Sequence, residues 1–179
     1  MLRYLWAFKE NMNSTLSLRF ADVHDVNTIG FLAQQIWPST YRSILSAEQI
    51  NYMMDLFYSP ASLKKQMKDD KHTFILIEDE EGSLGFASYS KINSDGIFKL
   101  HKIYVLPTLQ GKGIGKAMID FIIENIKPLG ATGLQLNVNR HNKARNFYER
   151  LGFTVIHEED IDIGNNYFMN DYIMEKKVV

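Results

Sequence analysis

The sequence predicts a single α/β domain built on a mixed, mostly antiparallel sheet of about seven strands flanked by helices. Three observations carry that expectation. The hydrophobic repeat switches between a helical period and an alternating one along the chain. Residues 73–105 read as three consecutive strands separated by turn signals, an antiparallel run. Residues 97–156 read strand, helix, strand, helix, strand, which requires a crossover connection and therefore some parallel pairing. The 179 residues, 45% hydrophobic and 23% charged, suffice for one sizeable core and match neither a disordered nor a fibrous chain.

Met1–Phe8 is apolar but short, is followed by Lys9 and Glu10, and lacks a small-residue cleavage site, which argues against a secretory signal. Residues 1–14 therefore read as a poorly ordered N-terminal extension and 15–179 as the folded domain. The rival reading is an amphipathic anchor built on Leu2, Leu5, Trp6 and Phe8. Leu16–Phe20 reads as a strand, after which Asp22 offers an N-cap for a stripe at Val26, Ile29, Gly30, Ala33, Ile36 and Trp37, with Pro38 as the stop. Ser46 and Gln49 make a capping box before Ile50, Met53, Met54 and Phe57. Ser59-Pro60 opens a short helix through about Met67.

Strands follow at Thr73–Ile77, Leu84–Ser90 and Ile97–Val105. A glycine-rich turn then leads into a helix bearing Ile114, Ala117, Met118, Phe121, Ile122 and Ile126, ended by Pro128. Leu134–Val138 is a strand, Asn142 caps a helix carrying Ala144, Phe147, Tyr148 and Leu151, and Gly152 terminates it. Thr154–Asp162 and Tyr167–Glu175 complete the sheet.

A net charge of −1 gives no basic surface for nucleic acid or an anionic membrane. No apolar run approaches the roughly 20 residues of a membrane span. The absence of cysteine excludes disulfides, thiolate-held zinc, iron–sulfur clusters and a thiol nucleophile, and is compatible with the cytoplasm.

Gln110-Gly111-Lys112-Gly113-Ile114-Gly115-Lys116 stands between a strand and a helix, where backbone N–H groups and the helix dipole can hold a phosphate. It fits neither a dinucleotide-binding fingerprint nor a Walker loop. Three glycines in five positions are costly at a helix start, and residues 97–116 carry four lysines and no acid, so the turn predicts a pyrophosphate-bearing ligand. A plain connecting turn is the alternative.

The run Leu100–Met118, with Ile103-Tyr104-Val105-x-Pro107 ahead of Gln110-Gly111-x-Gly113-x-Gly115, resembles the acetyl-CoA-binding motif of the GNAT superfamily of N-acetyltransferases. The segment from Asn142 and Ala144 through Phe147-Tyr148 to Gly152-Phe153 is similar to that family's other signature. The resemblance covers residues about 16–175. Trp37-Pro38-x-x-Tyr41 and Asp171-Tyr172-Ile173-Met174 look most like the bacterial members grouped around polyamine (spermidine/spermine) acetyltransferases.

The resemblance implies direct attack of an amine on the thioester of acetyl-CoA, the cosubstrate, with no metal. It implies splayed central strands, the pantetheine arm held by backbone groups of Ile103 and Val105, the Val105 N–H polarising the thioester carbonyl, and the pyrophosphate on the amides of Gln110, Gly111, Lys112, Gly113, Ile114, Gly115 and Lys116. Asn142 would touch the cofactor, or serve only as a helix cap. Tyr148 is the expected proton donor to the thiolate, against a purely structural place in the core. For the base, His101 shares a strand face with Ile103 and Val105, while the carboxylate many relatives carry near this strand is missing here. Tyr41 and Tyr89 are further acceptor-side candidates.

From His157 to Glu175 there are six acids and no Lys or Arg. In the family the final strands border the acceptor site, so the expected acceptor is a cationic primary amine, a polyamine foremost, on an enzyme that is cytoplasmic and, like many relatives, a homodimer. The other readings are a protein or peptide N-acetyltransferase, a non-catalytic acyl-CoA sensor, and a purine-nucleotide binder using the same turn.

Overall fold

Residues 4–6 and 16–178 are described by the computed structural model. The chain divides into two compact units, Met1–Tyr89 with Lys102–Met118 and Ser90–His101 with Ile119–Val179. In the first, β1 (Tyr4–Trp6), β2 (Leu16–Ala21), β3 (Thr73–Glu78) and β4 (Ser83–Lys91) are joined by antiparallel ladders in that order. Thus Tyr4–Trp6, inside the segment read as an extension, pairs with Leu16–Leu18. Leu2 and Phe8 lie outside the described residues.

Three helices, α1 (Val26–Tyr41), α2 (Ala47–Tyr58) and α3 (Pro60–Lys68), separate β2 from β3. α1 buries the expected stripe, with Leu32 added and Gly30 half-buried. Its cap differs from the expectation. Asp22 accepts from the His24 N–H at 2.8 Å, one turn early, and the N-cap position falls to Asp25. The Asp25 carboxylate is taken up by Arg19, whose guanidinium spans Asp25 and Glu78 at 2.8 to 2.9 Å and holds the Asp25 carboxyl below the usual carboxylate range.

Pro38 does not end α1, which continues to Tyr41. The proline falls in the last turn, where it forfeits its own N–H bond but has only three helical residues after it to displace. Ser39 and Thr40 hydroxyls donate back to the Ile36 carbonyl at 2.8 and 2.9 Å, and Trp37 packs on Tyr41 with ring centroids 4.5 Å apart. The Ser46 cap of α2 and the Ser59-Pro60 start of α3 form as expected, each serine Oγ accepting the N–H three residues on.

The second unit holds the start of β5 (Ile97–Val105), then β6 (Gly133–Asn139), β8 (Tyr167–Lys177) and β7 (Thr154–Gly164), with most of α4 (Ile114–Ile126) and all of α5 (Arg145–Arg150). β5 and β6 are parallel, as the crossover demanded, and the other ladders of this unit are antiparallel. The β5–β6 ladder runs only from Ile97–Gly133 to Leu100–Leu136, so β6 extends through Asn137–Asn139 paired with β8 alone.

Lys102, in the first unit, is 9% exposed. Its ammonium donates to Gln66 Oε1 at 2.7 Å and lies over the rings of Tyr58 and Phe74, 5.5 and 5.9 Å from their centroids. Burial pushes its pKa down to about 8, partly opposed by Asp70. Between pH 8 and 10.5 the unfolded chain therefore binds more protons than the folded one, and this residue makes stability rise with pH by up to about 3 kcal/mol. Urea denaturation of the protein and of Lys102→Met across that range checks this: the rise should be lost in the variant.

Candidate active site

The end of β5 is pinned to β4 by a contact between backbones. Burial along β5 alternates from Ile97 to Ile103 and then breaks: Tyr104 is half-buried like Ile103, and Val105 is buried. At this break a Cβ on Gly85 would lie 2.4 Å from the Tyr104 carbonyl oxygen and 3.1 Å from the Val105 Cα, so only glycine fits. The Leu106 N–H donates to Leu84 O at 2.9 Å, and Pro107–Leu109 makes one 3-10 turn. His101 and Ile103 are half-buried and Val105 is buried, all within one continuous strand.

Gln110 reaches back to the Val105 carbonyl through its side-chain amide at 3.3 Å. Gly111 and Gly113 have φ of +80° and +79°, a conformation other residues adopt only at a cost. Gln110–Gly113 is exposed, whereas Ile114 is buried and anchors the start of α4. The N–H groups of Ile114 and Gly115 precede the first intrahelical bond, Ala117 N–H to Gly113 O at 3.1 Å, and so have no acceptor within the helix. With the exposed Lys112 and Lys116 side chains beside them, they provide donors, positive charge and open backbone for a pyrophosphate. The expected cofactor residues from Val105 to Lys116 thus follow one another from the end of β5 to the first turn of α4, and they fit the group.

Near the same strand end, the Tyr41 and Tyr104 hydroxyls are 3.0 Å apart, one donating to the other. Both rings pack on Trp37, with Tyr58 and Phe86 behind. Trp37 Nε1 is buried without a hydrogen bond among the described residues. Tyr89, the other acceptor-side candidate, is buried, which raises its pKa.

The remaining expected residues belong to the second unit. His101 Nε2 lies 2.8 Å from Ser90 Oγ. Asn142 precedes α5 by three residues instead of capping it: its side chain accepts from the Ala144 N–H at 2.9 Å, a tight turn that leads into the helix. Tyr148 is 8% exposed, its ring edge-on to Phe153 at 5.9 Å, and burial alone raises its pKa above the ordinary tyrosine value. It therefore holds its proton throughout the physiological range. The β7–β8 hairpin carries the acids, with Glu158, Glu159, Asp160 and Asp162 exposed and Arg140 paired to Glu158 and Asp160.

Two groups in this unit were given no site role of their own from sequence. Asp171 is 6% exposed, and Asn137, whose Nδ2 donates to Asp171 Oδ2 at 3.3 Å, has its Oδ1 buried and unpartnered. An acidic run gives no sign of which member is buried. Among the described residues no cluster of His, Asp or Glu could hold a metal ion, and no helix is long and apolar enough to cross a membrane.

Residues 42–169 match the family described as Acetyltransferase (GNAT) domain. The [ribosomal protein bS18]-alanine N-acetyltransferase of Haemophilus influenzae is 29% identical over 137 residues, 76% of this chain and 87% of that protein. The spermidine N(1)-acetyltransferase of Thermoplasma acidophilum is 27% identical over 168 residues, 91% of this chain and 98% of that protein. The crystal structure of the PaiA N-acetyltransferase from Thermoplasma acidophilum in complex with coenzyme A superposes with a TM-score of 0.77 at 27% identity, covering 90% of this chain and 98% of that one.

A Gly113→Val variant tests the turn. The branched side chain cannot adopt φ near +79° without strain and would crowd the open backbone. Coenzyme A affinity measured by calorimetry should fall by about 10- to 100-fold, the worth of one or two lost hydrogen bonds to a charged group, while thermal unfolding stays cooperative. Unchanged affinity in a folded variant would remove the pyrophosphate from this turn.

Proposed function

Because the chain belongs to the GNAT acetyltransferase family and is an acetyl-CoA-dependent N-acetyltransferase, we propose that its acceptor is a cationic primary amine, with a polyamine as the leading class. The observation that carries this reading is the acidic β7–β8 hairpin. Four exposed carboxylates on β7 face solvent, and of these Glu158 and Asp160 share the Arg140 guanidinium. Such a rim attracts a polycation more than a zwitterion. The likeness to a spermidine acetyltransferase over nearly the whole chain supports the same class. A protein N-terminal amine is the second reading, favoured by the likeness to the bS18-alanine enzyme.

In the proposed reaction the neutral amine attacks the acetyl carbon of acetyl-CoA, a C–N bond forms, and the C–S bond breaks to leave coenzyme A. The Val105 N–H polarises the thioester carbonyl, Ile103 holds the pantetheine arm through its backbone, and the 110–116 turn carries the pyrophosphate. Asn142 contacts the cofactor from the turn before α5. Tyr148 donates to the departing sulfur, and His101, fixed by Ser90, relays the proton lost by the amine.

Acetyl-CoA consumption measured across spermidine, neutral amino acids, aminoglycosides, lysine peptides and an alanine-terminated peptide tests the acceptor. Spermidine should give the highest kcat/KM, and that value should fall as salt is raised, because exposed charges are screened beyond a Debye length of about 8 Å at physiological salt. A zwitterionic amino acid as best acceptor would return the hairpin to an ordinary solvated face. A best alanine-terminated peptide would select the second reading.

Tyr148→Phe should lower kcat by about 10²-fold or more with coenzyme A affinity unchanged, in single-turnover measurements that isolate the chemical step. An unaltered single-turnover rate would leave Tyr148 a packing residue.

A further inference from the structure

Asp171 is a buried carboxylate that forms no ion pair among the described residues. It sits on β8 directly opposite Asn139 of β6 and Glu159 of β7, and is 6% exposed. Its one hydrogen bond among the described residues is the long 3.3 Å contact from Asn137 Nδ2 to Oδ2, and it takes part in no ion pair there. The cations closest to it electrostatically are Lys99 of β5 and Arg140 after β6, and Arg140 pairs through its two terminal nitrogens with Glu158 and Asp160, its Nε being buried without a hydrogen bond among the described residues. Glu159 opposes ionisation from the β7 side. Buried charges in folded proteins are paired and hydrogen-bonded, because an unpaired one forfeits its hydration without return.

A second under-bonded acceptor lies beside it. Asn137 Oδ1 is buried with no donor, although its amide nitrogen is spent on Asp171. Asn137 belongs to the part of β6 that has passed the end of the β5 ladder, so its neighbourhood is not closed by a paired strand on that side. What is lacking at both positions is the same: N–H donors, and at Asp171 also positive charge. A primary ammonium supplies three donors and one charge from a single small group, whereas a hydroxyl or a neutral amide supplies donors without the charge.

We propose that Asp171 and Asn137 form a subsite that binds an ammonium group of the acceptor, with the Asp171 carboxylate as its counter-ion and Asn137 Oδ1 as a second acceptor. The inference rests on the reading of the acceptor as a cationic amine and locates where one of its charges is held. In a polycation the bound group need not be the one acetylated.

Burial also raises the carboxyl pKa of Asp171, against the opposing pull of the Asn137 hydrogen bond, Lys99 and Arg140. A bound ammonium favours the ionised carboxylate, so it must lower that pKa, and amine affinity must decline as pH falls through it.

The experiment is a carboxyl-carbon NMR titration of Asp171 in the full chain, alone and with spermidine, n-butylamine or a lysine hexapeptide, paired with calorimetry on Asp171→Asn. The free protein should show Asp171 titrating above the usual carboxylate range. At least one amine should shift its resonance and lower that pKa, and the variant should bind that amine about 10- to 100-fold more weakly. Glu124→Gln, which removes an exposed charge from α4, outside the hairpin, should change binding less than twofold. If none of the three amines moves the Asp171 resonance, the subsite is overturned, even if acetyl-CoA is consumed with one of them. If an amine moves it while none is acetylated, the subsite stands and the acceptor reading falls. The wild-type titration decides the matter even if Asp171→Asn fails to fold.

Discussion

A single close approach of two backbones fixes the strand end from which the glycine turn departs. Where β5 ends, the Tyr104 carbonyl and the Val105 Cα come so near β4 that any side chain at position 85 would collide with main chain, which cannot swing aside as a flexible side chain can. Glycine at 85 therefore permits the Leu106-to-Leu84 hydrogen bond, and that bond fixes where the strand stops and the 3-10 turn begins. The glycine turn starts immediately afterwards and is tied back by Gln110 to Val105. The same break in alternation puts the Tyr104 hydroxyl against Tyr41. A contact with no chemistry of its own thus positions the amide groups expected to hold acetyl-CoA.

Signals that act within one turn of chain were legible in the sequence. Ser46, Ser59-Pro60 and Gly152 do what their types predict because capping and left-handed geometry depend on the next three or four residues only. The glycine turn was legible for the same reason. Long-range partners were not. Asp25 displaces Asp22 at the start of α1 while Arg19, reached from a strand, holds its carboxylate, and Trp37 beside Pro38 packs on Tyr58 and Tyr104, both distant in sequence. Alternation places Lys102 on a face of β5 but does not say that the face is packed against Gln66, Tyr58 and Phe74. Asp171 looks like its acidic neighbours until the β6 and β7 ladders flank it on both sides.

The hairpin acids consequently divide into two kinds. Glu158 and Asp160 share Arg140, Glu175 accepts from Gln135 at 2.7 Å, and Asp162 accepts from the Gly164 N–H of its own turn. These carboxylates are served by the protein or by water, and what they offer a ligand is a diffuse field that salt weakens. Asp171 is served by one long hydrogen bond and is shielded from salt by its burial. Attraction from a distance and recognition at contact thus fall to different residues of one hairpin, and the sequence run of acids conflates them.

Desolvation acts on three groups here with different chemical consequences. It pushes Lys102 down, where an acceptor amide and two ring faces still stabilise the cation, and it pushes Asp171 up, where nothing comparable does. At Tyr148 it raises a phenol already less acidic than a thiol, whose ordinary value is about 8.5. Full proton transfer from such a phenol to a thiolate is uphill. The favourable interaction is a hydrogen bond that strengthens as negative charge gathers on sulfur, and it therefore lowers the barrier more than it stabilises the bound thioester. In the proposed reaction the Tyr148 proton therefore follows only as coenzyme A departs, and the phenol regains it from solvent.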